Sequence, residues 1–549
     1  MNQQAFDYII VGAGSAGCVL ADRLSVDPSN SVCLIEAGPE DRSALISTPM
    51  GLARLIGSPK YNWCYETEPQ PQLGGRRLYW PRGKTLGGSS SINAMVYIRG
   101  HALDYDDWTE YGGSAWNGEN MLRLFKEHEH NERGPSRYHG CGGPLNVADV
   151  RDPNPLNRLF IEAGKQRGLP HNPDFNGAEQ EGVGFYQVTQ KDGRRWSAAR
   201  AFLDRARSRP NLTILTGARV TRIVVERQRA TGVLLHRGGQ VENLRARREV
   251  ILSAGAVNSP HLLLLSGIGP RDELNRHGIP VLHELPGVGR NLQDHLDMTV
   301  MIRDRSRTAI GLALSFVPRA IIGLLRYLFA RRGFLASNVA ESGGFARLRK
   351  ESERPEIQFH FLPTLLRDHG RKLVVGYGCT LHVCQLRPKS RGHIGLKSAD
   401  PLADPLIQPN YLSHPDDVQE LIQAVKLARS IFAAPAFGDV NGGEIEPGPH
   451  VQTDAQILED IRKRAETIYH PVGTCRMGRD RMAVVDERLR VHGIEGLRVA
   501  DASIMPTLIG GNTNAPCMVI GEMAARMILA DRITDRTTSP ATEIVAAVA

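Results

Sequence analysis

An apolar run, Asp7-Tyr8-Ile9-Ile10-Val11, leads straight into Gly12-Ala13-Gly14-Ser15-Ala16-Gly17, and a second apolar run, Val32-Cys33-Leu34-Ile35, ends at Glu36. Strand, glycine turn, helix and strand in that order constrain the fold more than any other feature of the chain. Gly12 permits the tight turn, Gly14 lets backbone approach a pyrophosphate, and Gly17 lets the helix pack closely on the sheet. The helix N-terminus then offers free N–H groups and a positive dipole end to phosphates. A carboxylate at Glu36 suits a ribose diol and would repel a 2′-phosphate. The expectation is a Rossmann-like sheet that holds a dinucleotide. This unit alone does not separate NAD from FAD.

At 549 residues the chain is longer than one core supports, so two domains are expected. With 41% hydrophobic and 23% charged residues it is globular rather than disordered. The net charge of +8, from 67 basic and 59 acidic residues, is small for this length. No basic block with interleaved aromatics occurs, which excludes nucleic-acid partners from the expectation. None of the eight cysteines forms a C-x-x-C pair, and Cys18 and Cys33 fall inside predicted elements. That usage fits reduced thiols in a cytoplasmic protein. The first six residues carry no secretory signal pattern, so no export is expected.

Four further segments separate the cofactors: Gly83-Lys84-Thr85-Leu86-Gly87-Gly88-Ser89-Ser90-Ser91-Ile92-Asn93; Gly255-Ala256-Val257-Asn258-Ser259-Pro260, continuing to Gly269; Tyr469-His470-Pro471-Val472-Gly473-Thr474-Cys475-Arg476-Met477-Gly478; and Val499-Ala500-Asp501-Ala502-Ser503 with Gly511-Asn512-Thr513-Asn514-Ala515-Pro516. In type and order, from residue 7 to about 530, these resemble the glucose–methanol–choline (GMC) family of FAD-dependent oxidoreductases. The resemblance implies a discontinuous FAD-binding domain of α/β type and a substrate domain of α+β type, built on an antiparallel sheet covered by helices. The FAD-binding pieces are expected at 1–160, 196–300 and 466–533, the substrate pieces at 161–195 and 301–465, and a disordered tail at 534–549.

FAD contacts are expected from Gly12, Gly14, Ser15, Ala16, Gly17, Glu36 and Ala37 in the first unit. Arg82, Leu86, Gly87, Gly88, Ser91, Asn93, Ala94, Met95 and Val96 follow in the second, where successive N–H groups can form an anion nest. Val220, Ala254 and Gly255 belong to the middle block, and Asp501, Ala502, Asn512 and Thr513 to the last. Some relatives attach the flavin covalently through a histidine in the second motif; Ile92 stands in that place, so non-covalent FAD is expected.

Oxidising an alcohol by hydride transfer to flavin N5 requires a base for the hydroxyl proton, and histidine titrates near neutrality. Resemblance makes His470 that base. Its partner is Asn512 or Asn514, with spacing from Gly521-Glu522 favouring Asn512; an amide can donate to the alkoxide but cannot take its proton. His128, His130, His139 and Cys141 cluster in sequence, but their spacing argues against zinc, and no metal is expected. The Gly14-Ser15 pair lacks a nucleophile-elbow pattern and does not suggest a hydrolase.

Coarser patterns complete the picture. Leu212–Leu215, Val220–Val225 and Glu249–Ser253 read as strands. Ile357, Phe359 and Phe361 alternate with Gln358 and His360, as Leu381 and Val383 do with His382 and Cys384, predicting half-covered antiparallel strands. Thr453 and Gln456 are spaced as a capping box for a helix over 454–468 that delivers His470 at its end. Trp63, Phe361 and 309–335 are expected at the substrate entrance. Segment 309–335 is too interrupted to span a bilayer. It reads either as a helix packed on the substrate domain or as a monotopic patch on the inner face of the cytoplasmic membrane.

The function expected is oxidation of a primary alcohol to an aldehyde, with electrons passing to a quinone or another acceptor. The alternatives are an oxidase producing hydrogen peroxide, a choline dehydrogenase, a flavin-dependent lyase or photodecarboxylase, and a non-catalytic flavin protein. Oligomeric state is left open.

Overall fold

The computed structural model describes residues 4–538. The strand Ala5–Val11 lies at the centre of one sheet, parallel to Val32–Ile35 on one side and to Gln240–Leu252 on the other. Leu212–Leu215 extends the parallel set beyond Val32–Ile35, and Leu497–Val499 pairs parallel with the end of Gln240–Leu252. Arg229–Arg237 and Ala218–Glu226 complete this sheet as antiparallel strands. The central strands read as unbroken apolar runs because both faces are covered. The helix Ser15–Leu24 packs on this sheet and against the helix Asn514–Thr538. That last helix carries regular structure five residues into the expected tail; the rest of that expectation, 539–549, lies outside the described residues.

A second sheet is antiparallel throughout, in the order Asn441–Glu446, Leu296–Asp304, Gly378–Gln385, Ile357–Leu362, Ser342–Ala346 and Gly182–Phe185. Its strands alternate as the sequence suggests. Phe359 and Phe361 face the helices Leu156–Gln166 and Pro415–Phe432, where Phe361 stacks on Phe160 with centroids 5.0 Å apart. Gln358 and His360 are buried on the other face, under the first sheet's loops. Helices thus cover one face, and the other borders a cavity to which Thr299, His360 and His382 contribute.

Three segments cross the expected divisions of the chain. Leu156–Gln166 spans the point between 160 and 161 and packs wholly with the second core. Tyr65, Leu73, Leu78 and Trp80 join that same core. Glu466–Thr467 pairs with Leu296 and Asp297. The capping box forms as expected, with Thr453 and Gln456 exchanging hydrogen bonds of 3.0 and 3.3 Å. The helix, however, ends at Arg464, so Ile468 lies outside it and His470 is delivered by the short strand.

Val317–Ala330 is a helix that buries only Gly323 and Tyr327. Leu314 and Phe329 are 91% and 86% exposed, and Ile321, Ile322, Leu324, Leu325 and Leu328 are exposed as well. The helix packs on the protein through Gly323 and Tyr327, and the apolar residues expected on its packed face are exposed instead. No helix among the described residues is long and apolar enough to cross a membrane.

Close approach at the glycine turn is testable. A Cβ on Gly17 would lie 1.9 Å from the Gly12 carbonyl oxygen. Gly17→Ala is expected to destabilise the protein by about 1–3 kcal/mol through overpacking, read by chemical denaturation, and to lower cofactor retention in parallel.

Candidate active site

One cavity of about 1050 Å³ is lined by loops of the first sheet and the polar face of the second. It is at the upper end of the size range usual for ligand sites. Its walls at one end are Glu36, Ala37, Arg219, Val220 and Trp63. Along its middle lie Gly12, Gly14, Ser15, Ala16, Gly88, Asn93, Ala94, Met95 and Val96, with Ala254, Gly255, Asp501, Ala502 and Thr513 beside them. Arg82, His470 and Asn512 line the region that opens beneath the second sheet.

Four expected contacts do not reach this cavity. Gly17 packs the helix on the sheet, Leu86 is in the core, and Gly87 donates its N–H to the Ala13 carbonyl at 2.8 Å. Ser91 is buried and donates to the Leu86 carbonyl at 2.7 Å. These residues shape the loop from behind. Trp63 is at the Glu36 end, under the Arg219 guanidinium, rather than at an entrance, and Phe361 is in the second core. Ser15 donates to Asn514 at 2.7 Å, which puts Asn514 beside the glycine turn and leaves Asn512 as the amide near His470.

The glycine turn makes a cradle. Gly12 has φ +98°, and a Cβ there would meet the Ser253 carbonyl at 2.6 Å; one on Gly88 would meet Gly14 Cα at 2.7 Å. The following helix has no side-chain cap, so its first N–H groups stay available for an anion. Glu36 accepts from the N–H groups of Ala13 and Gly38 at 3.0 and 2.8 Å. Burial nevertheless pushes its carboxyl up to about 7. Asp501 accepts from Gly255 N–H and Ser259 Oγ, at 2.9 and 2.5 Å, and is also raised by burial.

His470 follows a strained turn, Tyr469 having φ +76°. Its backbone N–H donates to Asp294 at 2.8 Å, while Thr467 Oγ1 and the Tyr411 hydroxyl donate to the other Asp294 oxygen. Its Nδ1 is 3.0 Å from Nδ1 of His295, and its Nε2 is 3.2 Å from Nδ2 of Asn512. Burial, reinforced by His295, His360 and Arg82, holds His470 far below the usual histidine value. The ring is therefore neutral, and burial opposes the charge that proton uptake would create. Gln358 Nε2 donates to Asn512 Oδ1 at 3.1 Å, orienting the amide.

His295, Gln358 and His360 escaped the sequence reading as site residues. For the last two the signal was present, since they are the polar members of an alternating strand. The loop 364–376 was also missed. It closes over the cavity through His369, whose Nδ1 is 2.5 Å from the Tyr469 hydroxyl, and through Arg371 on the Tyr79 ring.

Family models described as GMC oxidoreductase match residues 6–297 and 388–521. The chain belongs to the GMC oxidoreductase family. It is 58% identical to an alcohol dehydrogenase [acceptor] of Pseudomonas putida, covering 95% of this chain and 96% of the relative. It is 45% identical to the mitochondrial choline dehydrogenase of Homo sapiens, over 96% and 90%. Among solved structures, a formate oxidase of Aspergillus oryzae, from work on its FAD modification, superposes with a TM-score of 0.91 at 29% identity, covering 97% of this chain and all of that one. The GMC cofactor is FAD, and the cavity fits it: glycine cradle, uncapped helix start and buried Glu36 form one continuous wall.

Because Glu36 has a higher pKa folded than its unfolded value of 4.5, the folded state holds the extra proton. The stability this gives cofactor-free protein is complete below pH 4.5 and is lost as pH rises through about 7. Glu36→Gln is expected to flatten that decline in denaturation midpoints between pH 4.5 and 7, and to weaken FAD retention.

Proposed function

We propose that this GMC oxidoreductase converts a primary alcohol to an aldehyde, with His470 as the base and Asn512 as the oxygen-binding partner. When bound, FAD supplies the acceptor for the carbon-bound hydride. The observation that carries the reading is the pairing of a neutral His470 Nε2 with the Asn512 amide on one cavity wall. Nε2 takes the hydroxyl proton, and Asn512 Nδ2 donates to the oxygen as charge builds on it. Gly12, Gly14, Ser15, Ala16, Asn93 and Asp501 hold the cofactor, and Glu36 binds its ribose. Ile92 lines the cavity without a group able to bond covalently to flavin, which supports non-covalent FAD. The strands of the first sheet form the FAD-binding body, and those of the second the substrate body.

The cavity mouth favours a lipophilic alcohol over choline. Ile310, Leu312, Leu365, Leu366, Leu373 and Val374 border it. The carboxylates there are engaged: Asp297 with His382 at 2.5 Å, Asp368 with Arg371 at 2.7 Å, Glu446 with Arg464 at 2.8 Å, and Glu466 with Arg76. Asp297 keeps one buried oxygen without a partner, while the other three carboxylates are each held in an ion pair. Likeness to an alcohol dehydrogenase [acceptor] supports transfer of the electrons to an acceptor, for which we propose a quinone or similar compound.

The same mouth supports contact with a bilayer. Leu312 and Gly376 exchange backbone hydrogen bonds of 3.1 and 3.0 Å, which joins exposed Leu373 and Val375 to the exposed apolar helix Val317–Ala330. Arg319, Arg326, Arg331 and Arg332 flank the patch. Apolar side chains among arginines suit an anionic lipid surface.

His470→Ala should lose orders of magnitude in anaerobic flavin reduction by alcohol while retaining FAD; near-normal turnover would refute its role. Asn512→Ala should lose a factor of about 10²–10³. A double substitution, Leu328→Glu with Phe329→Glu, should abolish sedimentation with phosphatidylglycerol vesicles and leave oxidation of a short soluble alcohol unchanged. Retained sedimentation would remove the bilayer from the account.

A further inference from the structure

We infer that His295 is a positioning residue that fixes the proton of His470 on Nδ1, leaving Nε2 as a lone pair facing the substrate. The inference rests on His470 being the base and adds what keeps it in the useful form. His295 Nε2 is 2.9 Å from the Leu386 carbonyl, which can only accept, so Nε2 of His295 carries a hydrogen. His295 is wholly buried, and burial lowers it to about 3, so the ring is neutral and its Nδ1 is bare. That bare nitrogen is 3.0 Å from Nδ1 of His470, a separation that needs one hydrogen between the two atoms. The hydrogen therefore belongs to His470 Nδ1.

With His470 itself neutral, its Nε2 is unprotonated. There Asn512 Nδ2 donates at 3.2 Å, and Asn512 cannot turn over because Gln358 donates to its Oδ1 at 3.1 Å. Four hydrogen bonds in series, from the Leu386 carbonyl to the Gln358 amide, have one consistent set of directions. The two rings meet edge to face at 86°, so the contact is a directed hydrogen bond rather than stacking. Which nitrogen of a histidine bears the proton is set by the partner of the other one. A neutral base presented in the opposite tautomer would offer a hydrogen where it must accept one. His295 does this without touching substrate, and its backbone is separately anchored, since its carbonyl accepts from Ile468 N–H at 3.1 Å.

The test uses FAD-loaded enzyme with ¹⁵N-labelled histidine, the His470 signals being assigned by their loss in His470→Gln. Wild-type His470 should show protonated Nδ1 and unprotonated Nε2 at pH 7.5; an Nε2–H signal there overturns the proposal before any other variant is made. His295→Leu removes the acceptor. It should lose the single-tautomer signature and cut flavin reduction at saturating alcohol by about 10²-fold, with KM changed less than about threefold. His295→Asn, whose Oδ1 falls where Nδ1 was, should restore the Nδ1-protonated form and most of the rate. An unchanged tautomer and rate in His295→Leu would contradict the assignment. The NMR result does not depend on turnover, so loss of the base reading through His470→Ala would be seen as a separate failure.

Discussion

Three consecutive side chains, Gln293, Asp294 and His295, hold the segment 466–473 in place, and the rest of the site depends on that bond pattern. Gln293 pairs with Val472 through backbone and accepts from Leu508 N–H at 3.1 Å. Asp294 fixes the backbone of His470, and His295 meets its ring. Burial raises Asp294 to about 6 despite three donors aimed at it, with Arg82 nearby and bonded to the Tyr469 carbonyl at 2.7 Å. A buried carboxylate is costly unless its lone pairs are satisfied, and here they are. The strained Tyr469 turn persists because its neighbours on both sides are tied down.

The position of this segment between the sheets explains the chemistry available to it. The first sheet supplies small residues and free backbone N–H groups at the ends of its parallel strands, which suits a dinucleotide. The second supplies a pleated wall whose polar members include the buried Gln358 and the cavity-lining His360. In such surroundings a neutral imidazole and an amide are inexpensive to bury, whereas a free carboxylate is not. In the proposed reaction, charge developing on a bound alcohol would be met by the Asn512 amide.

Much of this was legible in the sequence. The strand–turn–helix unit and Glu36 depend on local chemistry, and their spacing survives folding unchanged. His470 and Asn512 stand in short motifs, so their pairing could be expected before their 3.2 Å separation was seen. Residues acting through long-range contacts were not legible in the same way. His295 is 175 positions from its partner, and nothing around it marks it as a ring that meets another ring. Gly17, Leu86, Gly87 and Ser91 share motifs with cavity residues but support them from behind, a distinction that only packing reveals. The alternation around Phe359 was read correctly as strand, yet periodicity cannot say whether the polar face meets water or another body. Helix 454–464 illustrates a similar limit: apolar spacing continued to Ile468, but pairing with Leu296–Asp297 captured the chain first.

The most direct test is a crystal structure of the FAD-loaded enzyme with a non-reacting alcohol analogue bound. The account predicts the analogue's hydroxyl within hydrogen-bond distance of both His470 Nε2 and Asn512 Nδ2, with its carbinol carbon over the flavin N5. A flavin whose reactive edge lies away from His470, or an analogue held by other groups, would contradict it.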